Sequence, residues 1–130
     1  MQIPHAVVWL DHNEARVLFL HEDDARFETQ HLKATTSHAH NHHNDHHHGP
    51  DKPFFEAILR ALAPAREVLL TGPGLAKTQL RKHAEDHAKE MAARIVGVEN
   101  LDHPTEAQLA ALARKIFRKT DAMLGDPLLR

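Results

Sequence analysis

Half of the fourteen histidines in this chain crowd one stretch: His38, His40, His42, His43, His46, His47 and His48. Neutral imidazole is a good ligand for zinc, nickel and copper, so a tract like this holds such metals in solution. A dedicated zinc site needs fixed geometry. The segment from Lys33 to Lys52 is built of His, Asn, Thr, Asp and Gly, and it has too little apolar surface to offset its ordering entropy. It is expected to be a mobile polar loop. Transition-metal binding, with zinc or nickel, is the alternative use, and no cofactor is required. These imidazoles would also gain charge as pH falls, since the reference pKa is about 6.5. A second pair, His83 and His87, has the i,i+4 spacing that sets two rings on one helical face. Ala84, Glu85 and Asp86 lie between them, so the His-Glu-x-x-His pattern of zinc proteases is absent. The pair is expected to face solvent, with completion of a metal site by loop imidazoles as the sharper option.

Other chemistry is excluded or weak. Without Cys there is no thiol nucleophile, disulfide or thiolate zinc site. No Gly-x-Ser-x-Gly is present for a serine hydrolase. Gly72-Pro73-Gly74 followed by Lys77-Thr78 invites a phosphate-loop reading. Ala76 precedes that lysine, the spacing is short, and Pro73 has no amide to donate, so a tight strand-to-helix turn is the expectation. Lys and Arg number 16 against 18 Asp and Glu, for a formal charge of -2. A general polycationic coat for nucleic acid is thus excluded, whereas a local basic face is not. Arg81, Lys82 and Lys89, with Arg114, Lys115, Arg118 and Lys119, are candidates for such a face, and Lys77 is a further phosphate contact. The alternative is an ordinary solvated helix surface with pairs such as Glu85–Lys89. Tyr is absent and Trp9 is the only Trp, so stacking on bases has little to work with.

The elements that must carry these residues can be read from periodicity. Ala6–Leu10 and Ala15–Leu20 are apolar runs around a polar turn, as in a β-hairpin covered on both faces over part of its length. Arg26 to Leu32 is a third, edge strand with Phe27, Thr29 and His31 on one side. Pro53 opens a helix with Asp51 as its cap, and Phe54, Phe55, Ile58, Leu59 and Leu62 form its stripe. Glu67–Thr71 is a short strand. A helix spans Leu75 to Ala93, and Arg94–Glu99 is another strand. Thr105 and Gln108 make a capping box for a last helix through Lys119, whose terminal basic residues complement the helix dipole. The order is β-β-β-α-β-α-β-α: an α/β fold with a five-stranded mixed sheet, spatial order 3-2-1-4-5, and three helices. This is a ribonuclease-H-like topology. Residues 1–120 form one domain, 33–52 its loop and 121–130 a loose tail. Nucleases of that topology gather several carboxylates around two metals. Here Asp11 ends the first strand, Thr71 occupies the matching position of the fourth, and Glu56 reads as a surface residue. No catalytic residue is assigned.

The stretch Glu67-Val68-Leu69-Leu70-Thr71-Gly72-Pro73-Gly74-Leu75-Ala76-Lys77-Thr78-Gln79-Leu80 resembles the strand, small-Pro-Gly-x-x-Lys, helix segment in the middle domain of Pelota and of archaeal and eukaryotic class-1 release factors. Ala6 to Leu20 resembles the opening hairpin of that domain, and Ile95 to Phe117 its last strand and helix. The resemblance implies a ribonuclease-H-like fold over His5 to Lys119. Release factors carry Gly-Gly-Gln after the third strand; this chain has none, and the histidine tract takes that place. What the resemblance implies is therefore a translation-associated protein that binds ribosome or rRNA without peptidyl-tRNA hydrolysis, and not an enzyme. No run approaches the ~20 apolar residues of a membrane helix. With no signal peptide read at the N-terminus, a cytoplasmic protein is expected. Oligomeric state is left open.

Overall fold

A computed structural model describes residues 5–21, 26–34 and 51–123. The histidine tract and the Glu22-Asp23-Asp24 turn lie outside the described residues. Five strands form one sheet: β1 (His5–Leu10), β2 (Glu14–Leu20), β3 (Phe27–Lys33), β4 (Glu67–Gly72) and β5 (Ile95–Asn100), in the order β3-β2-β1-β4-β5. β1 pairs antiparallel with β2 and parallel with β4, and β4 pairs parallel with β5. The helices are α1 (Lys52–Ala61), α2 (Ala76–His87), α3 (Lys89–Ala92) and α4 (Glu106–Met123).

Alternating side chains of the central strands feed two separate cores. Ala6, Val8 and Leu10 of β1, with Val68 and Leu70 of β4, pack under Phe54, Phe55 and Ile58 of α1 and Ala76 and Leu80 of α2. Val7, Trp9 and Leu69 point the other way, onto Leu109, Ala110, Ala113 and Phe117 of α4. Two-sided burial is why β1 and β4 read as continuous apolar runs. The large side chains Trp9, Phe54, Phe55 and Phe117 are almost wholly buried, each stabilising the fold by roughly 1.5–3 kcal/mol relative to exposure. β3 lies at one edge, and its odd residues face α4 as their spacing predicts. Phe27 packs against the Phe117 core, while Thr29 and His31 both bond the Glu106 carboxylate, at 3.0 and 3.2 Å.

Local signals explain where the helices start. Asp51 accepts from the Phe54 amide at 3.1 Å, and Pro53 sits in the first turn. The capping box at α4 is complete: the Gln108 amide donates to Thr105 Oγ1 at 3.1 Å and the Thr105 amide to Gln108 Oε1 at 2.9 Å. Helix ends depart from the periodicity. The single helix expected over Leu75–Ala93 is interrupted at Ala88, whose backbone (φ -148, ψ 65) is non-helical, so four helices replace three. The break leaves Met91 buried on the α1–α2 core. α4 continues to Met123, past Lys119, because no Gly or Pro occurs before Gly125. Its basic residues consequently lie inside the helix and not in a terminal turn.

The β4–α2 junction is a close approach of two backbones. Gly72 has φ +150, and a Cβ placed there would meet the Leu10 carbonyl oxygen at 2.1 Å. Its own carbonyl accepts from the Leu101 amide at 3.0 Å, so the residue ties β4 to the chain leaving β5. Gly74 has open space around its Cα. Gly72→Ala is therefore expected to destabilise the fold by about 3 kcal/mol or more, from the strained φ and the backbone clash together. Gly74→Ala should stay within about 0.5 kcal/mol of the parent. Urea unfolding of the two variants checks the contrast, and equal losses would contradict it.

Candidate functional site

One flank of α2 lines a groove with the start of α1. Thr78, Lys82 and Asp86 form one i,i+4 row along the helix, Gln79, His83 and His87 the next, and Lys52 of α1 faces them. The space enclosed is about 520 Å³. The rows adjoin the Ala76, Leu80, Ala84 stripe that packs on the sheet, so the deeper row is carried partly under α1.

His83 is the residue this geometry singles out. Its side chain is only 5% exposed, where spacing alone predicted a solvent-facing ring. The expectation fails because position 83 lies three residues after Leu80 and seven after Ala76, on the margin of the buried stripe. That signal was present in the sequence. The ring meets Phe55 edge-on at 5.8 Å and lies 4.7 Å from the His87 ring. Its Nε2 is buried without a hydrogen-bond partner among the described residues. The nearest carboxylate is Glu56, 3.9 Å away and itself largely exposed. Burial first, then the neighbouring His87, holds the His83 pKa below its ordinary 6.5; Lys52 adds to the effect, and Glu56 and Asp86 oppose it. His87 is exposed, as expected. Among the described residues no three His, Cys, Asp or Glu side chains gather in a way that could hold a metal ion. The His83–His87 pair thus has no third ligand there, and His38 to His48 lie outside the described residues.

The candidate basic face is divided by the sheet. Arg81 and Lys82 are on α2, over the Val8–Leu10 core, whereas Arg114, Lys115, Arg118 and Lys119 are on α4, over the Trp9–Phe117 core. They occupy opposite layers and cannot form one patch. Arg81 pairs with Glu85 at 3.4 Å and Lys82 with Asp86 at 3.3 Å, contacts worth about 0.3–0.5 kcal/mol each on an exposed helix. Lys77 is 5% exposed, and its ammonium donates to the Gly74 carbonyl. It fastens the turn to the helix and is remote in role from the exposed lysines. Arg114 donates to the carbonyls of His21 and Arg26 at 2.8 and 2.7 Å, bracing the β2–β3 connection. Lys115, Arg118 and Lys119 remain exposed on α4.

The carboxylate considered for nuclease chemistry has a local role. Asp11 Oδ1 accepts from the Asn13 and Glu14 amides at 2.8 and 2.9 Å, shaping the β1–β2 turn. Thr71 Oγ1 donates to the Val8 carbonyl at 2.8 Å. Sequence reasoning missed Lys52, Thr78, Gln79 and Asp86 as lining residues, because each is an unremarkable surface type until α1 and α2 are juxtaposed. It also missed Arg16, whose guanidinium lies 5.5 Å from the Trp9 ring centroid with Nε unpartnered among the described residues.

The His83 environment has a consequence for stability. Its pKa is ordinary in the unfolded chain and lowered in the fold, so the unfolded state binds more protons as pH falls below about 6.5. Above that pH the group leaves stability unchanged. Below it, stability declines until pH passes the folded-state value. Urea unfolding between pH 8 and pH 5 should show a loss that His83→Gln reduces. An identical pH slope in parent and variant would contradict the assignment.

No protein-family profile matches the chain, and no curated protein matches it. Solved structures do. Archaeoglobus fulgidus Pelota aligns with TM-score 0.68 at 14% identity, over 95% of this chain and 35% of Pelota. An archaeal translation termination factor, aRF1, aligns with TM-score 0.56 at 13% identity, over 92% of this chain and 39% of that one. Thermoplasma acidophilum Pelota gives 0.57 at 13%, over 82% and 31%. The chain thus spans about a third of the length of these proteins. No helix among the described residues is long and apolar enough to cross a membrane. At these identities the likeness is one of architecture, and the chain carries a Pelota- and release-factor-like fold.

Proposed function

We propose that this chain is a translation-associated protein that binds the ribosome or its RNA and does not hydrolyse peptidyl-tRNA. The observation that carries the reading is the shared fold, over 92% of the chain, with an archaeal translation termination factor. The Gly-Gly-Gln motif that release factors place after the third strand is missing here, which supports binding without release. The exposed charges of α4 suit an RNA backbone. Lys115, Arg118 and Lys119 project from a helix whose opposite side is locked on the sheet by Leu109, Ala113 and Phe117. The cations are thus presented on a rigid element, and Arg114 braces the adjoining hairpin. Contacts of this kind are electrostatic, release counterions, and weaken as salt rises.

Sedimentation of the native protein through sucrose gradients tests the reading. The protein is expected in ribosomal fractions at low salt and to move to the top as salt is raised. Charge reversal at Lys115, Arg118 and Lys119 should weaken association about tenfold or more. It should also flatten the salt dependence by about one unit of log-log slope for each cation reversed. Peptidyl-tRNA incubated with the protein and ribosomes should remain intact. Recovery of the parent protein solely in the top fractions at every salt concentration would remove the proposal.

A further inference from the structure

We propose that the groove between α1 and α2 binds one nucleoside phosphate unit, with His83 meeting the edge of the base and Lys52 and Lys82 holding the phosphate. The site stands on the groove's own geometry and does not depend on ribosome association. Its volume of about 520 Å³ falls within the roughly 300–1,000 Å³ typical of small-molecule sites. A buried polar atom left without a partner destabilises the fold, because its lost hydration is not replaced. Among the described residues His83 Nε2 is such an atom, and its side chain lines the groove. A ligand group that reaches this atom, once a small shift of the ring or of the start of α1 opens it to the groove, would remove that cost. Burial keeps the imidazole neutral near pH 7, so it offers a directional single hydrogen bond to a neutral partner instead of a bare positive charge. Base edges present such neutral donors and acceptors.

The rest of the lining suits the other parts of a nucleotide. His87 is exposed and lines the groove with its ring 4.7 Å from that of His83, which Phe55 backs edge-on from the core, so the His87 ring is the one that offers a base a face to lie on. Lys82 is 72% exposed in its side chain and pairs with Asp86 at 3.3 Å on its own helix. Exchange of that weak pair for a phosphate needs only a rotamer change. Lys52, exposed at the first turn of α1, faces the same space from the other helix. Thr78 and Gln79 add neutral hydrogen-bonding groups suited to sugar hydroxyls. Two ammonium groups are balanced by Glu56 and Asp86, so the field is mild. Inorganic phosphate alone is therefore a poor ligand, and the base contact must contribute.

Calorimetry and histidine-ring NMR on the full chain at pH 7.5 test this, with the four ribonucleoside 5′-monophosphates, a single-stranded octaribonucleotide and inorganic phosphate as probes. Saturable one-to-one binding is expected, with the His83 and His87 ring resonances shifting. Lys82→Ala and Lys52→Ala should each weaken it by about tenfold, the value of one charge-assisted hydrogen bond. These lysines are exposed, so both variants keep the fold. Binding of a mononucleotide identifies a free ligand, and binding of the octamer alone identifies a nucleotide within an RNA strand. Four results would each overturn the proposal: no saturable binding by any probe, unmoved His83 and His87 rings, phosphate binding as tightly as the nucleotides, or lysine variants that bind like the parent.

Discussion

The parallel pairing of β1 with β4 is the constraint on which the molecule depends. Both strands are buried on both faces, and their register, from His5 opposite Glu67 to Trp9 opposite Thr71, assigns every side chain to one core or the other. A slip of one residue would exchange Val8 and Leu10 with Val7 and Trp9, placing an indole where α2 packs closely. The C-terminal end of the pair is fixed by Gly72, where backbone lies against the Leu10 carbonyl with no room for a Cβ, and by the Thr71 hydroxyl on the Val8 carbonyl. The small-Pro-Gly-x-x-Lys segment is thereby explained as structure. Glycine permits the approach, and the lysine returns its ammonium to the turn.

Covering both faces of a sheet also partitions the surface. α1, α2 and α3 occupy one layer and α4 the other. Basic residues that form a plausible cluster along the sequence are thereby separated by the thickness of the sheet. The α4 charges lie on a rigid, exposed helix suited to a phosphate track, whereas the α2 charges are paired along their own helix and border a groove. The two surfaces can accordingly act independently, and a change on one need not alter the other.

His83 shows how a position on the margin of an amphipathic stripe acquires unusual chemistry. Were it one step further round the helix, it would be solvated like His87. Packing of α1 instead closes over it, leaving Phe55 at its edge and Nε2 without a partner among the described residues. The low-dielectric surroundings suppress its charge, and the neighbouring His87 adds to that.

Much of the architecture was legible in residue order. The apolar runs Ala6–Leu10 and Glu67–Thr71, the capping residues Asp51 and Thr105, and the handedness of crossovers led to the strand order seen in the structure, because burial periodicity and local hydrogen bonding are encoded within a few residues. The common face of Phe27, Thr29 and His31 was legible for the same reason. Helix ends were less so. The break at Ala88 carries no Gly or Pro, and α4 outruns its basic cluster. The candidate site was legible only in part: the His83–His87 spacing marked a shared helical face, but not which ring is buried. Sequence by itself determined the strands, their order and the absence of thiol chemistry and of a Gly-Gly-Gln motif. Tertiary structure alone decided which layer each charge occupies, that Lys52 meets the flank of α2, and that one imidazole lies buried, because these follow from contacts between segments far apart in the chain.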